Sequence, residues 1–271
     1  MRPAISNIAL PAFNHIADLS KIAEIGYHGI EVAPSRIWQD TWNGLQNDHV
    51  TRYRTEIEHA GLTVVGLHSL VFDHPELQLF GNPTSTEATL QFMVHLSSVC
   101  RDLGGRTLIW GGGRRRGTIS ADEAFDRAVE FMCALCDKTS GHGTIFCFEP
   151  LGPSDSDFVN GVLEAKAIAD AVNRPNLCIQ IDAKALVENN EIDADVFDAV
   201  TPALVHFHAN EPGLGVIGSS GIVDHVRIGD MLNRAGYDRF VTAEQRMLSE
   251  TRYLNDARES FRVLKTAYGI Q

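Results

Sequence analysis

TIFCFEP at residues 144–150 is followed by LCIQID at 177–182, LVHFHANE at 204–211 and FVTAEQR at 240–246. Each is built on a short apolar run without strict polar alternation, the pattern of a strand buried on both faces. Each then ends on ionisable side chains: Glu149, Asp182, His206 and His208, and Glu244. Working outward, the same type of run recurs at Ile5–Leu10, Gly29–Ala33, Thr63–Leu67 and Arg106–Trp110. The second of these carries Glu31 within it (GIEVAP), and the third runs into His68 (VVGLHSL). Amphipathic stretches with helical spacing lie between the runs, at His15–Ile25, Asp48–Ala60, Thr84–Leu103, Ser120–Lys138, Gly161–Val172, Ile192–Val200, Val223–Ala235 and Ser249–Tyr268. The first two stop at Gly26 and Gly61, as left-handed helix ends require. Ser120 with Glu123 three residues on is a capping-box signature.

These are eight strand-then-helix units whose strand ends fall near residues 9, 33, 68, 110, 149, 182, 208 and 244. The spacing averages roughly 34 residues, a full βα repeat. The pattern predicts an α/β fold, a closed (β/α)8 TIM barrel forming a single domain over residues 1–271. A six-stranded open sheet with extra helices is the alternative.

Composition narrows the function classes. Hydrophobic residues make up 44% and charged residues 21% of the chain, as in an ordinary globular protein. Lys plus Arg number 23 against 35 Asp plus Glu, a net charge of −12 that repels a phosphate backbone and argues against nucleic acid as a partner. Five cysteines without framework spacing fit reduced thiols and a cytoplasmic location. The opening MRPAISNIALPAF is interrupted by Asn7 and Pro11 and is too polar for a leader or a membrane span, so no membrane association is expected.

In such barrels the chemistry sits at the C-terminal ends of the strands. One acidic residue there is most often a helix N-cap. Several buried carboxylates converging on one mouth are costly without a cation or protons. Three carboxylates and an imidazole suit one divalent metal ion. The oxygen-rich set favours Mn2+ or Mg2+, with Co2+ or Zn2+ as alternatives.

The sequence resembles the xylose-isomerase-like barrels, a family of sugar and sugar-phosphate isomerases and epimerases, inosose dehydratases and, more remotely, endonuclease IV. The resemblance rests on LPAFN, GYHGIEVAP, GLHSL, FEPLG, QID, HFHANE and TAEQR, which together span nearly the whole chain. It implies that Glu149, Asp182, His208 and Glu244 hold the metal, the second His of the HxH segment being the usual ligand. It further implies that Glu149 and Glu244 are the catalytic acid–base pair, removing and returning a proton next to a sugar carbonyl through a metal-stabilised enediolate. A metal-dependent dehydratase or lyase acting on a keto-sugar or inosose is the alternative, because it shares the first half of that reaction. A non-catalytic barrel would lack one of the four ligands, and none is missing. The expected partner is a small, neutral or anionic carbohydrate, and the resemblance suggests homo-oligomers.

Candidate substrate contacts are His68, Glu31, Arg116, Lys184, His206 and Arg246. Two positions depart from the free-ketose 3-epimerases: Ala185 stands where they carry His, and Leu214 where they carry Arg. The fourth strand runs into WGGGRRRG, residues 110–117, where Arg114, Arg115 and Arg116 either read an anionic substrate or decorate a solvated turn. Residues 71–83 either cover the mouth through Phe72, His74 and Phe80 or pack down through Leu77, Leu79 and Phe80. The glycine-rich loop at Ser219–Ser220 is a candidate phosphate cradle or a plain connection. Cys133 and Cys136 share one helix face and read as core.

Overall fold

A computed structural model describes residues 1–270. Eight parallel strands close a barrel in chain order: β1 (Arg2–Ser6), β2 (Gly29–Val32), β3 (Thr63–Leu67), β4 (Thr107–Trp110), β5 (Ile145–Phe148), β6 (Leu177–Asp182), β7 (Leu204–Ala209) and β8 (Phe240–Ala243). Closure is made by β8 against β1, with Ala243 opposite Ile5. The open-sheet alternative is thereby excluded. Outside lie α1 (Leu19–Ile25), α2 (Asn47–His59), α3 (Pro83–Leu103), α4 (Ala121–Lys138), α5 (Val162–Val172), α6 (Ala183–Glu188), α7 (Ala194–Val200), α8 (His225–Arg234) and α9 (Tyr253–Ala267).

Local sequence explains the boundaries. Gly26, at φ 120°, ends α1 by returning its N–H to Ala23 and Ile22, a conformation that costs a residue with a Cβ. Ser120 caps α4 through the Glu123 N–H, and Asn82 caps α3 through the Ser85 N–H ahead of Pro83. The thiols of α4 pack inward, Cys136 fully and Cys133 in part. No helix among the described residues is long and apolar enough to cross a membrane.

Two elements differ from the sequence-based expectation. The first strand ends at Ser6 rather than near residue 9. Ser6 accepts the Ile8 N–H and starts a short 3-10 turn, while the buried Asn7 side chain exchanges two hydrogen bonds with the Ala33 backbone. The apolar residues Ala9 and Leu10 that lengthened the run are buried beyond the strand. The connection after β6 contains α6 as well as the expected helix, because Asp182 caps it by accepting the Ala185 N–H at 2.7 Å.

The strands' period of two sorts the interior by height. Two small apolar clusters, one of Ala4, Val65 and Phe240 and one centred on Ile109, Ile145, Cys147 and Val205, stand apart from the large core beneath the helices. On β1, β5 and β8 the same alternation carries the face from Ala4 to Ser6, from Cys147 to Glu149 and from Phe240 to Glu244.

Candidate metal centre and active site

At the C-terminal mouth Glu149, Asp182, His208 and Glu244 are all buried, and each presents a ligand atom within 4.8 Å of the others. Four separate strand ends deliver them. The Nδ1 of His208 lies 2.8 Å from Glu149 Oε1 and 3.4 Å from Glu244 Oε2. Its Nε2 lies 2.8 Å from Glu31 Oε2, which fixes the ring so that Nδ1 faces the centre. Asp182 uses Oδ1 to cap α6 and turns Oδ2 to Asn210.

The electrostatics of the quartet call for a cation. Burial, followed by the neighbouring Glu149 and Glu244, drives the Asp182 carboxyl well above the usual carboxylate range. Burial alone would lower the basicity of His208, yet Glu31 and Glu244 hold it well above an ordinary imidazole. Burial would likewise raise Glu244, but His208 and His68 keep it below the normal range. Three carboxylates and one imidazole form a donor set that a divalent ion fits once it displaces the imidazole proton that the carboxylates attract.

Glu149 and Glu244 each keep one oxygen in the quartet and send the other elsewhere. Glu149 Oε2 lies against Gly111, where any Cβ would collide with it. Glu244 Oε1 sits 3.3 Å from Nδ1 of His68, whose Nε2 is 2.6 Å from the Ser6 hydroxyl. His68, Gly111, Glu149 and Glu244 line one cavity of about 360 Å3, within the roughly 300–1,000 Å3 usual for small-ligand sites.

The remaining candidates are placed differently. Glu31 and His206 lie beneath the quartet and outside that cavity lining, with His206 Nε2 2.9 Å from Glu31 Oε1. Glu31 thus holds the His208 ring from outside the cavity lining, and with His206 and His208 it forms a second buried group of metal-ligand type. Glu31→Gln is expected to weaken divalent-metal binding about 10- to 100-fold, as loss of such ring-orienting partners does. Chelator-competition titration with Mn2+ checks this, and an unchanged Kd would show that Glu31 does not orient the ring.

The arginine run is spent on the protein itself. Arg114 is 1% exposed and donates to the carbonyls of Gly111, Glu149, Phe158 and Val159. Arg115 donates to Ser154 O, and Arg116 to Asp157 O and Ile119 O. Arg116 borders a different cavity, beside Asp157 and Glu164, so it does not face the metal centre. Lys184 is also committed, its Nζ lying 2.6 Å from Asp155 and 3.0 Å from Glu188 at the rim. The loop at Ser219–Ser220 is no free anion cradle: the buried Glu211 accepts from the Gly218 N–H and the Ser220 hydroxyl. In the segment 71–83, Leu77 and Leu79 are buried and Phe80 packs edge-on against Phe158. His74 packs against Trp42 and Phe92, whereas Phe72, 78% exposed, overhangs the mouth.

Three contributors escaped the sequence reading. Asn210 Nδ2 donates to Asp182 and, at 2.9 Å, to Glu244 Oε2. Gln180 Nε2 donates to Glu149 Oε1 at 3.3 Å, and Ser6 holds His68. The first two stand two residues from His208 and Asp182, so the period of two of a strand marks them.

An eight-stranded α/β barrel with an acidic–imidazole centre at its mouth defines a structural class, and sequence places the chain within it. The profile of the xylose isomerase-like TIM barrel family matches residues 19–267, and the chain belongs to that family. No curated protein matches the sequence. Among solved structures, D-psicose 3-epimerase with D-tagatose from Clostridium cellulolyticum H10 superposes with a TM-score of 0.82 at 16% identity, covering 99% of both chains. The 3-keto-D-glucoside 4-epimerase YcjR from E. coli gives 0.81 at 18% identity, covering 98% of this chain and 99% of that one. The IOLI protein, solved with a bound zinc atom, gives 0.78 at 16% identity over the full length of both.

Proposed function

We propose that the protein is a divalent-metal-dependent sugar or sugar-phosphate isomerase or epimerase. The observation that carries this reading is the pair Glu149 and Glu244, each with one oxygen in the ligand quartet and both on the wall of the same cavity. Solved structures of similar fold that bear epimerase names support it.

Glu149, Asp182, His208 and Glu244 would hold the ion, Mn2+ best matching the oxygen-rich set and Zn2+ also compatible. When bound, the metal polarises the sugar carbonyl and lowers the cost of removing the adjacent proton. Glu149 and Glu244 then divide the proton traffic. One, ionised, takes the proton on its outer oxygen, and the other, entering protonated, gives its proton to the substrate, so the pair exchanges protonation states in each turnover. His68, held by Ser6, keeps the Glu244 Oε1 oriented. Asn210 and Gln180 donate to the carboxylates and fix their rotation. Leu70, Val71 and Leu151 give the cavity an apolar wall that limits water around the carbanionic carbon.

The test is metal analysis followed by proton–deuterium exchange in D2O against a panel of keto-sugars and their phosphates. Exchange at the carbon beside the carbonyl, with mass otherwise conserved, is the expected result. A product lighter by one water would assign a lyase instead. Saturating the purified metal-free protein with Mn2+ at about 100 times Kd is expected to add about 2.7 kcal/mol of stability. That corresponds to roughly 5–10 °C in Tm by calorimetry. An unchanged Tm would mean that the quartet does not bind the ion.

A further inference from the structure

A second chamber of about 470 Å3 opens beside the catalytic cavity, and Ser69 and Phe72 line both. Its other walls come from loops after several strands, including Ile8, Leu214 and Met247 on the apolar side and Arg36 and Arg246 on the basic side. Among the described residues no carboxylate lines it, and neither arginine is ion-paired with an Asp or Glu. Arg36 gives one guanidinium N–H to Leu10 O, while its buried Nε has no partner. In a chain of net charge −12, two guanidiniums without a carboxylate partner over one cavity are a local exception.

The backbone around this chamber is held in an unusual conformation. Ser69 and Leu214 both adopt positive φ, 53° and 52°, although neither is glycine. Such residues persist where their surroundings fix them, and they concentrate around ligand sites. Leu214 O also accepts the Arg246 N–H at 2.9 Å, which sets the arginine's backbone at the chamber rim.

From these observations we propose that the substrate is an acidic sugar whose anionic group, a phosphate or a carboxylate, sits in this second chamber against Arg36 and Arg246. The reacting carbon then lies in the adjoining cavity between Glu149 and Glu244. The proposal deepens the isomerase reading and rests on it for the identity of the sugar end. The guanidinium fork suits both anions, binding two of their oxygens at once. The three consecutive arginines at 114–116 do not compete for this role, because none of them lines this chamber.

The test separates binding from turnover. Calorimetry on the Mn2+-loaded Glu244→Gln protein compares a ketose, its terminal phosphate and the ketose acid of matched length. The anionic sugars are expected to bind roughly 10- to 100-fold more tightly than the neutral one, the range for one or two charge-assisted hydrogen bonds. Arg246→Glu, at an exposed position, should erase most of that preference, and Arg246→Lys should keep part of it. Whichever of phosphate and carboxylate shows the larger preference identifies the anion. Equal affinity for neutral and anionic sugars, or a preference that survives Arg246→Glu, overturns the proposal. If the preference holds and Arg246→Glu removes it, but wild-type protein exchanges no proton on any sugar, the anion site stands and the isomerase reading fails.

Discussion

Glu244→Gln is expected to slow proton–deuterium exchange by about 100- to 10,000-fold, the contribution of a positioned acid or base. Glu149→Gln should do the same. The two substitutions preserve shape and hydrogen-bonding capacity, so far-UV circular dichroism should remain that of the wild type. Glu244 sits where the Asn210 amide and His68 meet, and the carboxamide introduced by Glu244→Gln can still accept from Asn210. What it cannot do is carry a proton. Metal affinity falls too, because a neutral amide is a poorer ligand than a carboxylate, so exchange is measured at saturating Mn2+. Full exchange by the Glu244→Gln protein under those conditions would show that the proton moves through another group.

Arg114→Ala is expected to be the most destabilising single change at the mouth. The guanidinium is buried, lies 5.7 Å from the centre of the Phe148 ring and gathers carbonyls from the loops after β4 and β5. Burial pulls its pKa down to about 10, so it remains charged at neutral pH. Removing it leaves several buried acceptors without donors, at roughly 1–3 kcal/mol each before relaxation. A loss of about 3–5 kcal/mol follows, or roughly 6–20 °C in Tm. Arg114→Lys should recover only part, because an ammonium cannot reach carbonyls on both loops. A Tm within about 2 °C of the wild type would show that the loops hold each other without the clamp. Because one of the carbonyls belongs to Glu149, the substitution should also lower metal affinity.

The barrel and the quartet were legible in the sequence for the same reason. A strand buried on both faces writes itself as an apolar run, and an ionisable residue at its C-terminal end follows that run directly, while the choice of His208 over His206 came from the family resemblance. Glu149, Asp182, His208 and Glu244 all stand at such points. The arginine run stayed open in the sequence because composition cannot tell a guanidinium that seeks a ligand from one that satisfies a neighbouring loop. The carbonyls of Phe158 and Asp157 that absorb Arg114 and Arg116 lie some forty positions downstream. Lys184 was ambiguous for a similar reason, since Asp155 and Glu188 reach it only after the chain has folded. The end of β1 was misplaced because Ala9 and Leu10 are as buried in their turn as they would be in a strand.

The strand ends that supply the quartet are largely distinct from the loops that wall the second chamber. Ser35 and Leu214, which line the second chamber but not the first cavity, can therefore vary while the quartet stays in register. If the proposed function holds, randomising those two positions in the laboratory should redirect binding toward sugars of other length or charge with metal affinity unchanged, whereas a library built on the strand ends should lose metal binding.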